Sequence, residues 1–102
     1  MNKPKEFEVK TLEDFENLVT NKTFSISQAI VGSILNNLKT RKKNVHVLSV
    51  KCTEENTVFD ITLEKEYFGD TLKENLKHFE AHEMYEECAK ISKAIEILSK
   101  VK

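Results

Sequence analysis

Residues 71–102 read TLKENLKHFEAHEMYEECAKISKAIEILSKVK, and their spacing decides the fold. Leu72, Leu76 and Phe79 recur at helical intervals, and Tyr85, Cys88, Ile91, Ile95 and Leu98 do so again after a break. Each set is the single apolar stripe of an amphipathic helix. The break falls around Ala81–Met84, so the spacing predicts two antiparallel helices with a tight connection. The seam of this hairpin is expected to hold Tyr85, Cys88, Ala89, Ile91, Ile95 and Leu98. Met84, Glu86, Ser92, Ile97 and Val101 are left on its flanks, available to a protein partner. Ile97 is the informative one, because it is apolar and lies off the main stripe.

Within this stretch, Tyr85–Leu98 resembles the UVR motif, a helical hairpin of excision-repair subunits and of some stress-response adaptors. Tyr85-Glu86 matches the family's aromatic-Glu pair, Cys88-Ala89 its small-small pair, and Ile95 and Leu98 its closing apolar positions. Ser92 and Lys93 stand where the family carries Arg-Asp, a departure that bears on partner choice. The resemblance extends over residues 71–100 and implies protein–protein contact rather than catalysis.

Upstream, Lys65–Asp70 links the hairpin to a strand pair, with Tyr67 and Phe68 expected in the core at its root. In residues 56–64, Phe59, Ile61 and Leu63 alternate with Asp60, Thr62 and Glu64, the period of a half-buried strand. In residues 44–52, Val45 and Val47 share one parity while Leu48, Val50 and Cys52 share the other. That switch implies a bulge near Val47 or burial on both faces. Thr53–Asn56 is a polar hairpin connection. An isolated two-stranded hairpin is barely stable in water, so more chain must extend or cover it. Phe7–Val9 could supply a third strand, and so could a second copy of the protein.

Before the strands, Ser25 and Gln28 read as a capping box for a helix whose stripe is Ile30, Ile34 and Leu38, widened by Ile26, Val31 and Leu35. Gly32 inside it costs about 1 kcal/mol relative to Ala, which suggests close approach of another backbone. The run Lys39–Lys43 is read as ending this helix, its charge complementing the negative C-terminus. A shorter helix starts at Thr11, turns Leu12, Phe15, Leu18 and Val19 to one side, and ends at Asn21–Lys22.

Composition narrows the function classes. The chain has 102 residues and a net charge of −1, with Arg41 as its only arginine. A dedicated nucleic-acid binder normally carries a basic excess and arginine for bidentate contacts. Cys52 and Cys88 form neither a disulfide framework nor a zinc pattern. No apolar h-region follows Met1–Lys5 and no apolar run is long enough to span a bilayer, so a cytoplasmic protein is expected. Lys, Asn, Ile and Glu abound and Trp is absent, the usage of an AT-rich genome.

Chemical constellations are few. His78 and His82, four apart with Glu83 and Glu86 behind, have metal-ligand spacing, but a glutamate is a poor substitute for the further ligands of a structural zinc site. Cys88 with His82 or His78 would make a nucleophile and base; the plainer reading is a small apolar residue on a helix's inner face. Gly32 and Gly69 are too far apart for a phosphate loop. No catalytic, cofactor or metal residues are therefore assigned.

The expected fold is α+β in a single domain, 1–102. Residues 1–10 form an extended arm or edge strand, and 11–64 two helices and a β-hairpin, with scope for a small antiparallel sheet. Residues 65–102 form a helical hairpin. The expected function is a non-enzymatic interaction module, of the kind a bacterial or phage accessory protein uses to bind and regulate a partner. The alternatives are a nucleic-acid-binding regulator using Lys39, Arg41, Lys42 and Lys43, or a structural subunit or homo-oligomer built by edge pairing.

Overall fold

A computed structural model describes residues 5–21 and 24–100, apart from the side chains of Val19 and Asn21. Among these residues the chain runs β1 (Lys5–Val9), α1 (Leu12–Asn21), α2 (Phe24–Asn36), β2 (Asn44–Cys52) and β3 (Thr57–Glu64). A 3₁₀ turn (Lys65–Tyr67), α3 (Phe68–Ala81) and α4 (Tyr85–Lys100) complete it. The architecture is α+β. The expected face of α1 keeps Phe15 and Leu18 against the core, whereas Val19 and Val101 fall outside the described side chains.

The sheet has the order β1-β2-β3, so β2 is its centre. β2 and β3 are antiparallel, as their short turn requires. β1 pairs parallel to β2, with Lys5, Phe7 and Val9 in register with Leu48, Val50 and Cys52. A mixed sheet thus replaces the small antiparallel sheet that the sequence suggested. The reason is the connection: the chain between β1 and β2 carries both α1 and α2, a crossover long enough for parallel pairing.

The switch of parity in β2 is a bulge. Register shifts between His46 and Leu48, and Val47 is the extra residue. Val47 and Leu48 are consecutive yet both buried, at 2% and 1% exposure. The extra residue lets Val45, Leu48, Val50 and Cys52 all join the apolar side. A carbonyl displaced from the ladder needs a partner, and Ser33 Oγ of α2 donates to the Val47 carbonyl at 2.9 Å.

α2 lies between the sheet and the C-terminal helices, packing on β2 and on α3. Ile26, Ala29, Val31 and Ile34 are buried along it. Ser25 falls inside the first turn, not at the cap that the capping-box reading gave it. The basic run also moves: α2 stops at Asn36 with no basic residue in its last turn, so Lys39–Lys43 lies beyond the helix. Asn37 closes it, its Nδ2 donating to the Ser33 carbonyl at 2.7 Å. Gly32 is a further correction, since a Cβ built there would find nothing beyond its own helix backbone within 4 Å.

α3 ends in a Schellman motif. Met84 N–H donates to the Phe79 carbonyl at 3.0 Å and Glu83 N–H to the Glu80 carbonyl at 3.0 Å. The motif needs a left-handed residue, usually glycine, and here Glu83 takes it with φ 55°. α4 then packs against α3. One apolar cluster joins Ile34 of α2, Leu48 and Val50 of β2, Phe68, Leu72 and Phe79 of α3, and Ile91 and Ala94 of α4. Phe68 is fully buried as expected, but Tyr67 is 50% exposed. No helix among the described residues is long and apolar enough to cross a membrane.

Candidate functional site

The face that α4 buries follows from its geometry. At about 100° per residue, Met84, Glu87, Cys88, Ala94, Ile95 and Leu98 cluster around fully buried Ile91. Tyr85 and Ala89 point away from this stripe and are exposed, so the expected seam loses both and gains Ala94. The residues expected to meet a partner are divided. Glu86 and Ile97 share one flank with Lys90 and Lys93, and Ser92 lies on the other with Tyr85 and Glu96.

Two grooves border this helical pair, at its two ends. One, of about 310 Å³, lies at the turn between α3 and α4 and is lined by Val31, Gly32, Leu35, Phe79, Met84 and Glu87 among others. Met84 follows the α3 cap and lines this groove beside Phe79, the apolar contact that accompanies a Schellman motif. It is half-buried, so its apolar surface is largely committed to the fold.

The other groove, of about 550 Å³, runs where the turn after α2 meets the start of α3 and the end of α4. Leu38, Ile95, Ile97 and Leu98 line it as the apolar part, and Lys65, Glu66, Asp70 and Lys73 as the charged part. Ile97 is 39% exposed, which is high for an isoleucine beside three other apolar residues. The groove thus combines an uncovered apolar anchor with charge of both signs.

Arg41, Lys42 and Lys43 line a third cavity, of about 450 Å³, with Asn44, Glu64, Lys65 and Glu66; Lys39 is not among its lining residues. Lys65 Nζ donates to the Thr40 carbonyl, which commits that ammonium to the loop. The hydrogen bond Glu64 shares with Glu66 raises its pKa above the usual carboxylate value, and desolvation and repulsion by Glu66 add to this. Two glutamates in the same cavity make the corner mixed in charge, not a clean phosphate cradle.

The outer face of the sheet holds a cluster the linear sequence did not reveal. His46 Nε2 lies 3.0 Å from the Leu48 carbonyl and 2.7 Å from Ser49 Oγ. A carbonyl only accepts, so Nε2 carries hydrogen and donates to it. Ser49 Oγ donates to Asp60 Oδ1 at 2.7 Å, and His46 Nε2 stands 3.5 Å from the same carboxylate. The serine proton goes to the carboxylate, not the imidazole, which is the reverse of an activated nucleophile. The bulge creates the cluster by turning His46 and Ser49, three residues apart, to one side.

The cysteine and histidine pairings are also resolved. Burial pushes the Cys88 thiol up, and Glu80 and Glu87 push it further, away from the thiolate a nucleophile needs. His82 Nδ1 donates to the His78 carbonyl at 2.9 Å, and its ring stacks on Phe24 with centroids 3.9 Å apart. It caps α3. No group of three or more His, Cys, Asp or Glu among the described residues could hold a metal ion.

Comparison with protein families, with curated proteins and with solved structures finds no match to this chain.

Proposed function

We propose that the protein is a non-catalytic interaction module that receives a protein partner in the groove at the end of α4. Exposed Ile97, beside Leu38, Ile95 and Leu98 in a groove of about 550 Å³, carries this reading. Interfaces centre on apolar anchors surrounded by polar groups that exclude water, and Lys65, Glu66, Asp70 and Lys73 are placed to act so. The occupant is a short segment of another protein with an apolar face and charges of both signs. The resemblance of residues 71–100 to the UVR motif, a helical hairpin that docks proteins, supports the same reading.

The test is a comparison of wild type with Ile97→Asp. Proteins retained by wild type in high salt are purified, and direct binding is measured to both forms. Ile97→Asp is expected to keep its circular dichroism and melting temperature while losing affinity at least about tenfold, the usual cost of removing an interface anchor. A partner that binds both forms equally sinks the reading.

A further inference from the structure

Edge strands usually carry protection against pairing: an inward charge, a proline, a bulge or a cover. β1 has such protection. It covers five of the described residues, and Lys5, in register with Leu48, brings charge to the apolar side. β3 is eight residues long, and β2 is its only hydrogen-bonded neighbour among the described residues. It holds no proline, and the bulged residue belongs to β2. On its apolar side Phe59, Ile61 and Leu63 are each only half-buried, and on the other Val58 is 52% exposed.

We propose that β3 pairs antiparallel with β3 of a second copy of this chain, about a two-fold axis at Ile61. Directly opposed residues share a face, so a continuous sheet with all helices on one side allows only registers that match apolar to apolar. Of the two that pair seven residues, the one centred on Asp60 sets that carboxylate against its own copy. Centring on Ile61 instead places Asp60 opposite the partner's Thr62, Val58 opposite the partner's Glu64, and Phe59 opposite the partner's Leu63. No like charges then face each other, Val58 is covered by the glutamate stem, and the apolar layer continues between copies. β1 has no equivalent, because every such register of it sets Glu6 or Glu8 against Glu6 or Glu8.

The experiment is light scattering and sedimentation of the full chain over the micromolar range. The wild type is expected to approach twice the 11.8 kDa chain mass as concentration rises. Thr62→Asp, at an exposed position, puts carboxylate against Asp60 twice per dimer and is expected to weaken association about tenfold. Thr62→Lys at the same position should hold or tighten it. Val58→Glu, facing the partner's Glu64, is the second disruptive variant should Thr62→Asp misfold. Ile97→Asp should leave the mass unchanged, which separates this surface from the groove on α4. A wild type that stays at the single-chain mass overturns the proposal, as does a dimer indifferent to both Thr62→Asp and Val58→Glu.

Discussion

α2 and α4 are both amphipathic in sequence, yet they carry different burdens. α2 is enclosed from two sides, with Ile26, Ser27, Ala29, Val31 and Ile34 buried, so side chains facing both β2 and α3 leave water. α4 buries only Ile91 and Ala94 completely and leaves both its flanks in solvent. A helix with packing on two sides fixes the core, while one attached along a single stripe keeps surface for other work. The basis of the fold lies in α2 and β2, and the free surface lies on α4.

Truncation should expose this asymmetry most strongly. Ile34→Ala empties a fully buried site between two layers and should cost about 4 kcal/mol, read by chemical denaturation. Ile91→Ala is equally buried but sits where α4 can settle inward, so about 2–3 kcal/mol is expected. Equal losses would show that α4 is as rigidly enclosed as α2. Gly32→Ala sharpens the same contrast from the other direction. Nothing beyond the helix's own backbone stands within 4 Å of the added methyl, so the variant should gain about 1 kcal/mol of helix propensity without strain. A loss would mean that the groove beside Gly32 is filled in solution. The smallest effect is chemical. Cys88, its pKa raised by burial and by Glu80 and Glu87, should alkylate more slowly near neutral pH than a free thiol. Its rate should begin to climb at higher pH than the free thiol's, because thiolate forms later.

The elements legible in the sequence were those whose signals are local. The alternation of Phe59, Ile61 and Leu63 located β3, and the shift from Val45/Val47 to Leu48/Val50 located the bulge. Thr11 capped α1 as its residue type predicts, accepting from Asp14 N–H at 3.1 Å. Non-local features were not legible. The spacing of Phe7 and Val9 leaves an edge strand and an extended arm both open, because a parallel partner gives no turn signal to decide between them. In the stripe of α4, Cys88, Ile91, Ile95 and Leu98 keep their places, but Tyr85 looks like an anchor in sequence and is exposed, while small Ala94 carries little apolar weight and is buried. For the candidate groove, Ile97 stands out in the sequence as an apolar residue off the stripe, but Leu38 reaches the groove from the turn after α2 and Lys65 from the turn before α3, placements that only the packing reveals. The His46–Ser49–Asp60 cluster needed the strand register, which spacing alone cannot supply.

The parallel pairing of β1 also sets an order of events. Lys5 has Leu48 as its register partner, and Leu48 is made only after α1, α2 and the first half of β2. Contacts that distant in sequence close slowly, and nascent chains emerge at about 5–20 residues per second. β1 therefore spends seconds without the strand it pairs with, whereas β2 and β3 are joined by a turn of only four residues, 53–56. Until β1 joins the sheet, the flank of β2 that it covers stays open to a competing strand.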